Sequence, residues 1–260
     1  MHLIQRIQKL FIDRSVLWNM AFKQFKTKYS GSVMGVCWTA INPLVLAVSI
    51  NFIFTNVFKV SVDSFVLFVL AGIIPWLFFS NTLFDAANSF ISNASVLRQT
   101  MMPREFIPIS CVMANMLTFF VGFLVLLPVF FVVNWKVILL MPYLLFVLAM
   151  YFIFLSGLAF LFSVINLFSR DLSHFLSVGT MIWFWVTPIF YFLDMLEFPY
   201  RIICLVNPMT YFVISFQDIL VRGSIPSLAV SLAVLFCSLT SFVGGYVFFI
   251  RKEKLLLKNL

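Results

Sequence analysis

The chain has 260 residues, of which 63% are hydrophobic and only 10% charged, and its formal net charge is +8. A soluble protein carries roughly 45–50% apolar and roughly 25% charged residues, so a water-facing surface of ordinary polarity is excluded and an integral membrane protein is implied. The positive balance fits the cytoplasmic loops of a bacterial inner-membrane protein and argues little for nucleic acid as a partner.

Residues 1–28 hold six basic side chains, Arg6, Lys9, Arg14, Lys23, Lys26 and Lys28, and no continuous apolar core of a cleaved signal. Leu3, Ile7, Leu10 and Phe11, then Val16, Leu17, Met20 and Phe25, recur at near-helical spacing between them. This predicts an amphipathic helix along the cytoplasmic interface, serving as an anchor or as a docking element for a cytoplasmic partner. After Lys28 no charge appears until Lys59, and Gly31 and Gly35 stand at the start of that apolar run.

About 20 apolar residues cross roughly 30 Å of hydrocarbon. Runs of that kind fall at 33–58, 65–90, 106–133, 139–165, 173–193 and 227–250, which predicts six crossings in a single permease domain over 29–260. Asp85 lies near the end of the second run, at an interface position. A seventh apolar stretch, 202–216, is short and interrupted by Asn207-Pro208, which suits a re-entrant or interfacial helix pair. No motif repeats between residues 33–133 and 139–250. With the N-terminus inside, thirteen basic residues (Arg6, Lys9, Arg14, Lys23, Lys26, Lys28, Arg98, Arg104, Arg170, Arg251, Lys252, Lys254, Lys258) face the cytoplasm and four (Lys59, Lys136, Arg201, Arg222) face outward. Both termini are therefore expected on the cytoplasmic side.

Catalytic signatures are missing. No GxSxG, HExxH or GxxxxGK pattern occurs, so no nucleotide cradle or standard nucleophile is visible. The four cysteines, Cys37, Cys111, Cys204 and Cys237, lie singly in apolar runs and read as small hydrophobes; no metal and no cofactor is expected on this chain. The centres of the six runs hold no carboxylate, which disfavours an ion-coupled carrier.

Arg170, Asp171 and His174 in "FSRDLSHFL" mark the mouth between the fourth and fifth runs, either as a balanced loop or as a site for an anionic head group. The loop over 92–105, "SNASVLRQTMMPRE", has polar residues that could cap a short helix and Pro103 to end it, with Arg104 and Glu105 at the re-entry. It reads as an ordinary turn or as a helix that docks into another protein. Aromatic residues make up 18% of the chain. Single aromatics pack or face lipid, yet Trp38, Trp76, Trp135, Trp183 and Trp185 lie near predicted span ends or loops, where an interface belt is expected, and aromatic faces could also form a weakly binding wall for a sugar chain.

Five ordered stretches carry a resemblance: "FKTKYSGSVMGVCWTAINPL", "LAGIIPWLFFSNTLFDAANSF", "MMPREFIPIS", "FSRDLSHFLSVGTMIWFWVTPIFY" and "LVNPMTYFVISFQDIL". Over about residues 22–222 the chain resembles membrane subunits of polysaccharide-export ABC transporters, of the O-antigen and teichoic-acid type. The resemblance implies a pair of permease copies, each docked by a separate cytoplasmic ATPase that holds ATP and magnesium, moving a lipid-linked polysaccharide within membrane lipid. It implies a lateral opening near the first and fifth spans, flanked by Lys26, Lys28, Tyr29, Ser30, Gly31 and Trp38 on one side and Arg170 and Asp171 on the other. Trp76, Phe79, Trp183, Trp185 and Tyr191 would line the conduit. Arg98, Pro103, Arg104 and Glu105 would couple to the ATPase. The region 194–226, together with Pro188, would close the periplasmic exit, through Tyr200, Asn207 and Pro208. Lys28 stands where many relatives carry Arg, which keeps the charge but loses bidentate phosphate geometry. The Gly31/Gly35 and Gly244/Gly245 pairs either pack helices closely or merely fill space. Alternative readings are a permease for a small hydrophobic drug or lipid, a polyprenyl-phosphate enzyme, for which Asp171, Asp194 and Glu197 are too scattered, and a non-catalytic scaffold.

Overall fold

A computed structural model describes residues 12–56, 64–99, 102–169 and 171–259, and side chains within these except those of residues 96, 98 and 254–259. Every regular element among the described residues is helical. In chain order they are α1 (Arg14–Tyr29), α2 (Trp38–Asn56), α3 (Phe65–Ser92), α4 (Ala94–Gln99), α5 (Phe106–Val133), α6 (Met141–Phe168), α7 (Leu172–Val186), α8 (Tyr200–Val206), α9 (Pro208–Gln217) and α10 (Leu228–Asn259), with a π-helical turn at Asp218–Arg222 after α9. The chain is an all-α integral membrane protein. Five helices are long and apolar enough to cross a bilayer, or six if the bent pair α8–α9 counts as one crossing.

Helix α3 is the axis of the bundle. Its 28 residues are apolar on nearly every side and most are buried, because α2, α5, α6, α7 and α9 all pack around it. Pro75 interrupts its hydrogen-bond ladder, since proline has no N–H to offer the preceding turn. The fully buried Tyr151 of α6 donates its hydroxyl to the Pro75 carbonyl at 2.8 Å, tying the two helices at that point. Helices α6 and α10 meet at two glycines. A Cβ on Gly245 would collide with the backbone of Gly157, and one on Gly157 with the backbone of Ser241. This is the small-residue approach expected between helices in lipid.

The structure corrects the sequence reading at several places. Gly31 and Gly35 do not sit in a helix interface. They take φ of +83° and +49° in the turn between α1 and α2, with open space where a side chain would be, and glycine adopts that backbone at no steric cost. Gly244 likewise faces open space, so only Gly245 of that pair makes the contact. The apolar run 173–193 is not one continuous helix. Helix α7 has 15 residues, about 22 Å at 1.5 Å per residue, which falls short of the bilayer core. It stops because Thr187 precedes Pro188 and is extended (φ −85°, ψ 132°). The Tyr191 hydroxyl then donates to the carbonyls of Val186 (2.9 Å) and Trp185 (3.2 Å), satisfying the helix end. Beyond it, α8 and the segment from Pro208 to Arg222 meet at 88°, the break anticipated at Asn207-Pro208.

The basic N-terminal segment also differs in placement. The described part, α1, does not stand apart from the bundle: Gln24 donates to Ser110 of α5 at 2.9 Å and Lys28 to Asn115 of α5 at 2.6 Å. Its last two turns therefore run along the start of α5. The first half of the predicted amphipathic helix, residues 1–11, lies outside the described residues.

Candidate transport path

An open groove lies between the predicted first and fifth spans. Leu46 of α2, Trp76, Leu77, Ser80 and Phe84 of α3, and Ser177, Thr180, Met181, Phe184 and Trp185 of α7 surround a volume of about 340 Å³. Trp76 is 5% exposed and forms the floor, with its ring 5.6 Å from that of Phe184; Trp185 is 57% exposed and stands at the mouth. Among the described residues, no charged side chain lines the groove. Ser80 and Thr180 donate to carbonyls of their own helices (Leu77 and Leu176), so they present acceptor lone pairs rather than free donors. Such a wall offers apolar faces with scattered acceptors and no deep polar trap.

Of the five aromatics assigned to the conduit, Trp76 and Trp185 line this groove. The other three do not. Phe79 is fully buried against Trp183 (ring centroids 4.9 Å apart) and Phe154 (6.4 Å), so it is a core residue. Trp183 is turned inward and donates its indole N–H to Asn207 at 2.6 Å. Tyr191 closes the end of α7 as described.

Asn207 is the hub of the gate region. Its Oδ1 accepts from Trp183 and from the backbone N–H of Met209 (2.9 Å), where it caps α9, and its Nδ2 donates to Thr187 Oγ1 at 2.8 Å. Pro208 follows at the first helical position, where a missing N–H costs nothing. Gln217, which sequence reasoning missed, donates to the carbonyls of Pro188 and Ile189, both at 3.2 Å, and Gly72 of α3 leaves room for that contact. Tyr200, by contrast, is 65% exposed.

At the basic end, Lys28 is not a free anion-binding group. Its ammonium pairs with Asp85 of α3 at 2.5 Å and donates to Asn115, whose Nδ2 in turn donates to Asp85 at 2.8 Å. Asn115 is 1% exposed, so this triad ties α1, α3 and α5 together. Lys26 stays outside it, with its ammonium 4.9 Å from the Phe22 ring centre. Ser30 donates to the Thr27 carbonyl at the end of α1, and Gly31 follows in the turn. Burial raises the pKa of the Tyr29 hydroxyl above its ordinary value, opposed by a bond with Thr118.

Beside the triad is a second cavity, of about 200 Å³, between α1, α2, α3 and α5. Tyr29, Trp38, Asn42, Phe78, Asn81 and Thr118 are among its walls.

Asp171 precedes α7, and its carbonyl accepts from the backbone N–H of His174 and Phe175. Arg170 lies outside the described residues. A buried link that the sequence did not announce holds this corner: Asn166 of α6 donates to the Ala87 carbonyl at 2.9 Å, and Ser173 to Asn88 at 3.3 Å.

In the loop over 92–105, α4 has only six residues, and Arg98 falls on it, with its side chain outside those described. Asn93 does not cap it; the Asn93 amide donates back to the Ser89 carbonyl at 2.8 Å and so finishes α3. Pro103 comes after α4 has ended, and its carbonyl accepts from Phe106 at the start of α5. Arg104 donates to the Glu253 carbonyl of α10 at 2.7 Å, with the Glu253 carboxylate 3.7 Å away. Glu105 is 2% exposed. Both therefore face the chain's own bundle.

These features define the membrane component of a transporter, and the family can be stated. Residues 15–221 match the ABC-2 type transporter family, and the chain belongs to it. It is similar to two proteins from Klebsiella pneumoniae named "O-antigen export system permease protein RfbA". One is 32% identical over 87% of this chain and 88% of that protein, the other 32% identical over 78% and 79%. A protein of the same name from Myxococcus xanthus is 26% identical over 86% of this chain and 87% of its own length.

Proposed function

We propose that this chain is the transmembrane subunit of an ATP-driven exporter that carries a lipid-linked polysaccharide, an O-antigen on undecaprenyl diphosphate, across the bacterial cytoplasmic membrane. The observation that carries the reading is the groove between α2, α3 and α7, walled by the aromatic rings of Trp76, Phe84, Phe184 and Trp185. The names of the relatives agree with it. A second copy of the chain completes the conduit, and two separate ATPases, holding ATP and magnesium, supply the power stroke, because this chain has no phosphate-binding loop. Both termini lie in the cytoplasm, as the basic asymmetry requires.

The diphosphate is drawn to the basic rim by Lys26 and Arg170, while Lys28, neutralised by Asp85, holds the rim in place. Helix α4 is the surface offered to the ATPase, and the Arg104–Glu253 link passes its movement to α10.

Deletion of the gene in its host tests the proposal. Surface polysaccharide should disappear while lipid-linked glycan accumulates inside, and the intact gene should restore export. Unchanged surface polysaccharide in the deletion strain overturns it.

A further inference from the structure

We infer that the outward face of α1 is a binding site for an anionic phospholipid, whose phosphate sits between Lys23 and Lys26. Depth in the bilayer is the first ground. Helix α5 has 28 residues, about 42 Å, so when centred on roughly 30 Å of hydrocarbon it overhangs by about 6 Å at each end. About four residues span that overhang, which puts Ser110 at the hydrocarbon edge. Gln24 bonds to Ser110 and Lys28 to Asn115, so α1 runs alongside α5 and enters the bilayer with it. Phe22 and Lys23 then lie within about 3 Å of the edge on its watery side, and Lys26 about 3 Å inside it, near enough for its long stem to return the ammonium to the head groups. Trp18 falls about 9 Å outside the edge, at the far side of a head-group layer about 5–8 Å thick. Lipid head groups reach this stretch before any soluble protein does.

Charge is the second ground. Ala21, Gln24 and Lys28 face α5, whereas Asn19, Lys23 and Lys26 form the opposite row, flanked by Trp18 and Phe22. Lys28, the deepest of the three lysines, has the Asp85 carboxylate at 2.5 Å. Lys23 and Lys26 are exposed, and neither has a carboxylate within ion-pair distance among the described residues. Their counter-charge has to come from outside the chain, and at this depth the anion on offer is lipid phosphate. Phe22, 41% exposed, carries the Lys26 ammonium 4.9 Å from its ring centre and so orients it beside Lys23. Trp18, 50% exposed, stands where an amphipathic indole favours the interface.

The inference does not rest on the export function. Lys26 is shared with the cargo's diphosphate in that reading, but Lys23 is not, and α1 lends no residue to the groove.

The test is native mass spectrometry of the full chain, delipidated in detergent and offered equal amounts of phosphatidylglycerol and phosphatidylcholine. The wild type should retain phosphatidylglycerol in preference. Lys23→Gln should cut that preference roughly five-fold, and Lys23→Gln with Lys26→Gln should bring it close to unity. Lys23→Arg should keep it. Arg251→Gln with Lys252→Gln, which removes the same charge from the end of α10, should leave it unchanged. Equal retention of the two lipids by the wild type, or a preference that survives the double lysine change, overturns the inference; in the second case, loss of the partner ATPase by that variant gives the face to a protein instead. An equal loss in the α10 control also overturns it, because any positive charge would then serve. So does full displacement of phosphatidylglycerol by undecaprenyl phosphate, which would assign the lysines to the cargo's carrier. If the double variant does not elute as a monodisperse particle, Lys23→Gln against Lys23→Arg decides by the same criteria.

Discussion

Asn207→Ala tests whether the gate region is held by one side chain. The substitution removes three hydrogen bonds: from the Trp183 indole (2.6 Å), from the Met209 backbone N–H (2.9 Å) and to the Thr187 hydroxyl (2.8 Å). At about 1 kcal/mol net for each bond, the loss is about 3 kcal/mol, a figure that already includes the helix cap. For a domain of this size, each kcal/mol moves the thermal midpoint by roughly 2–4 °C, so a fall of roughly 6–12 °C is expected. The assay is the apparent midpoint of the detergent-solubilised chain, followed by tryptophan fluorescence at one fixed scan rate. Trp183→Phe removes one of the same bonds and should cost about 1 kcal/mol, or roughly 2–4 °C. The double variant should be little worse than Asn207→Ala alone, because the shared bond cannot be lost twice. A midpoint for Asn207→Ala within about 1 °C of wild type, or full additivity of the two, would refute this account of the gate.

Other consequences can be measured alongside it. The pair Lys28–Asp85 is about a third exposed on each side, so solvent screens it, and the exchange Lys28→Asp with Asp85→Lys should recover much of the folded yield that either change alone loses. If the exchange is no better than the singles, the pair does not organise the basic end. Gly245→Leu should abolish monodisperse protein, because its side chain would enter the Gly157 backbone, whereas Gly31→Ala, in open space, should cost only about 1–2 kcal/mol of left-handed strain and remain folded. Equal elution profiles for the two would contradict the packing of α6 on α10. Trp185→Ala should lower export several-fold at normal expression, while Phe79→Ala should lower expression instead, by about 3–5 kcal/mol of lost core packing. Identical behaviour of both would remove the distinction between groove wall and core.

The sequence made the long helices legible because their signal is composition and length alone. The runs that became α3, α5 and α6 needed no tertiary knowledge, and Asn207-Pro208 announced its own break. The end of the fifth span was harder. Residues 173–193 lack charge until the end, and hydropathy does not register that Pro188 withdraws an N–H and forces Thr187 to extend. Nor could periodicity separate Trp76 from Phe79: α3 is apolar all round, and only the packing of α7 decides which ring lines a groove.

The site at the basic end was hidden for a different reason. Lys28, Asp85 and Asn115 belong to three helices and have no local pattern linking them, so Lys28 read as a free cation and Asp85 as a lone interface residue. The same holds for Gly157, a solitary glycine in sequence whose role appears only opposite Gly245.

Transport in a defined system tests the central claim most directly. The chain is reconstituted in proteoliposomes with its partner ATPase, and a fluorescent undecaprenyl-diphosphate-linked glycan is placed in the outward-facing leaflet. The account predicts that ATP and magnesium together move the glycan into the lumen, where an external glycosidase cannot reach it, and that omitting the ATPase leaves it fully digestible. Glycan that stays digestible with the complete system, or that becomes protected without ATP, would contradict it.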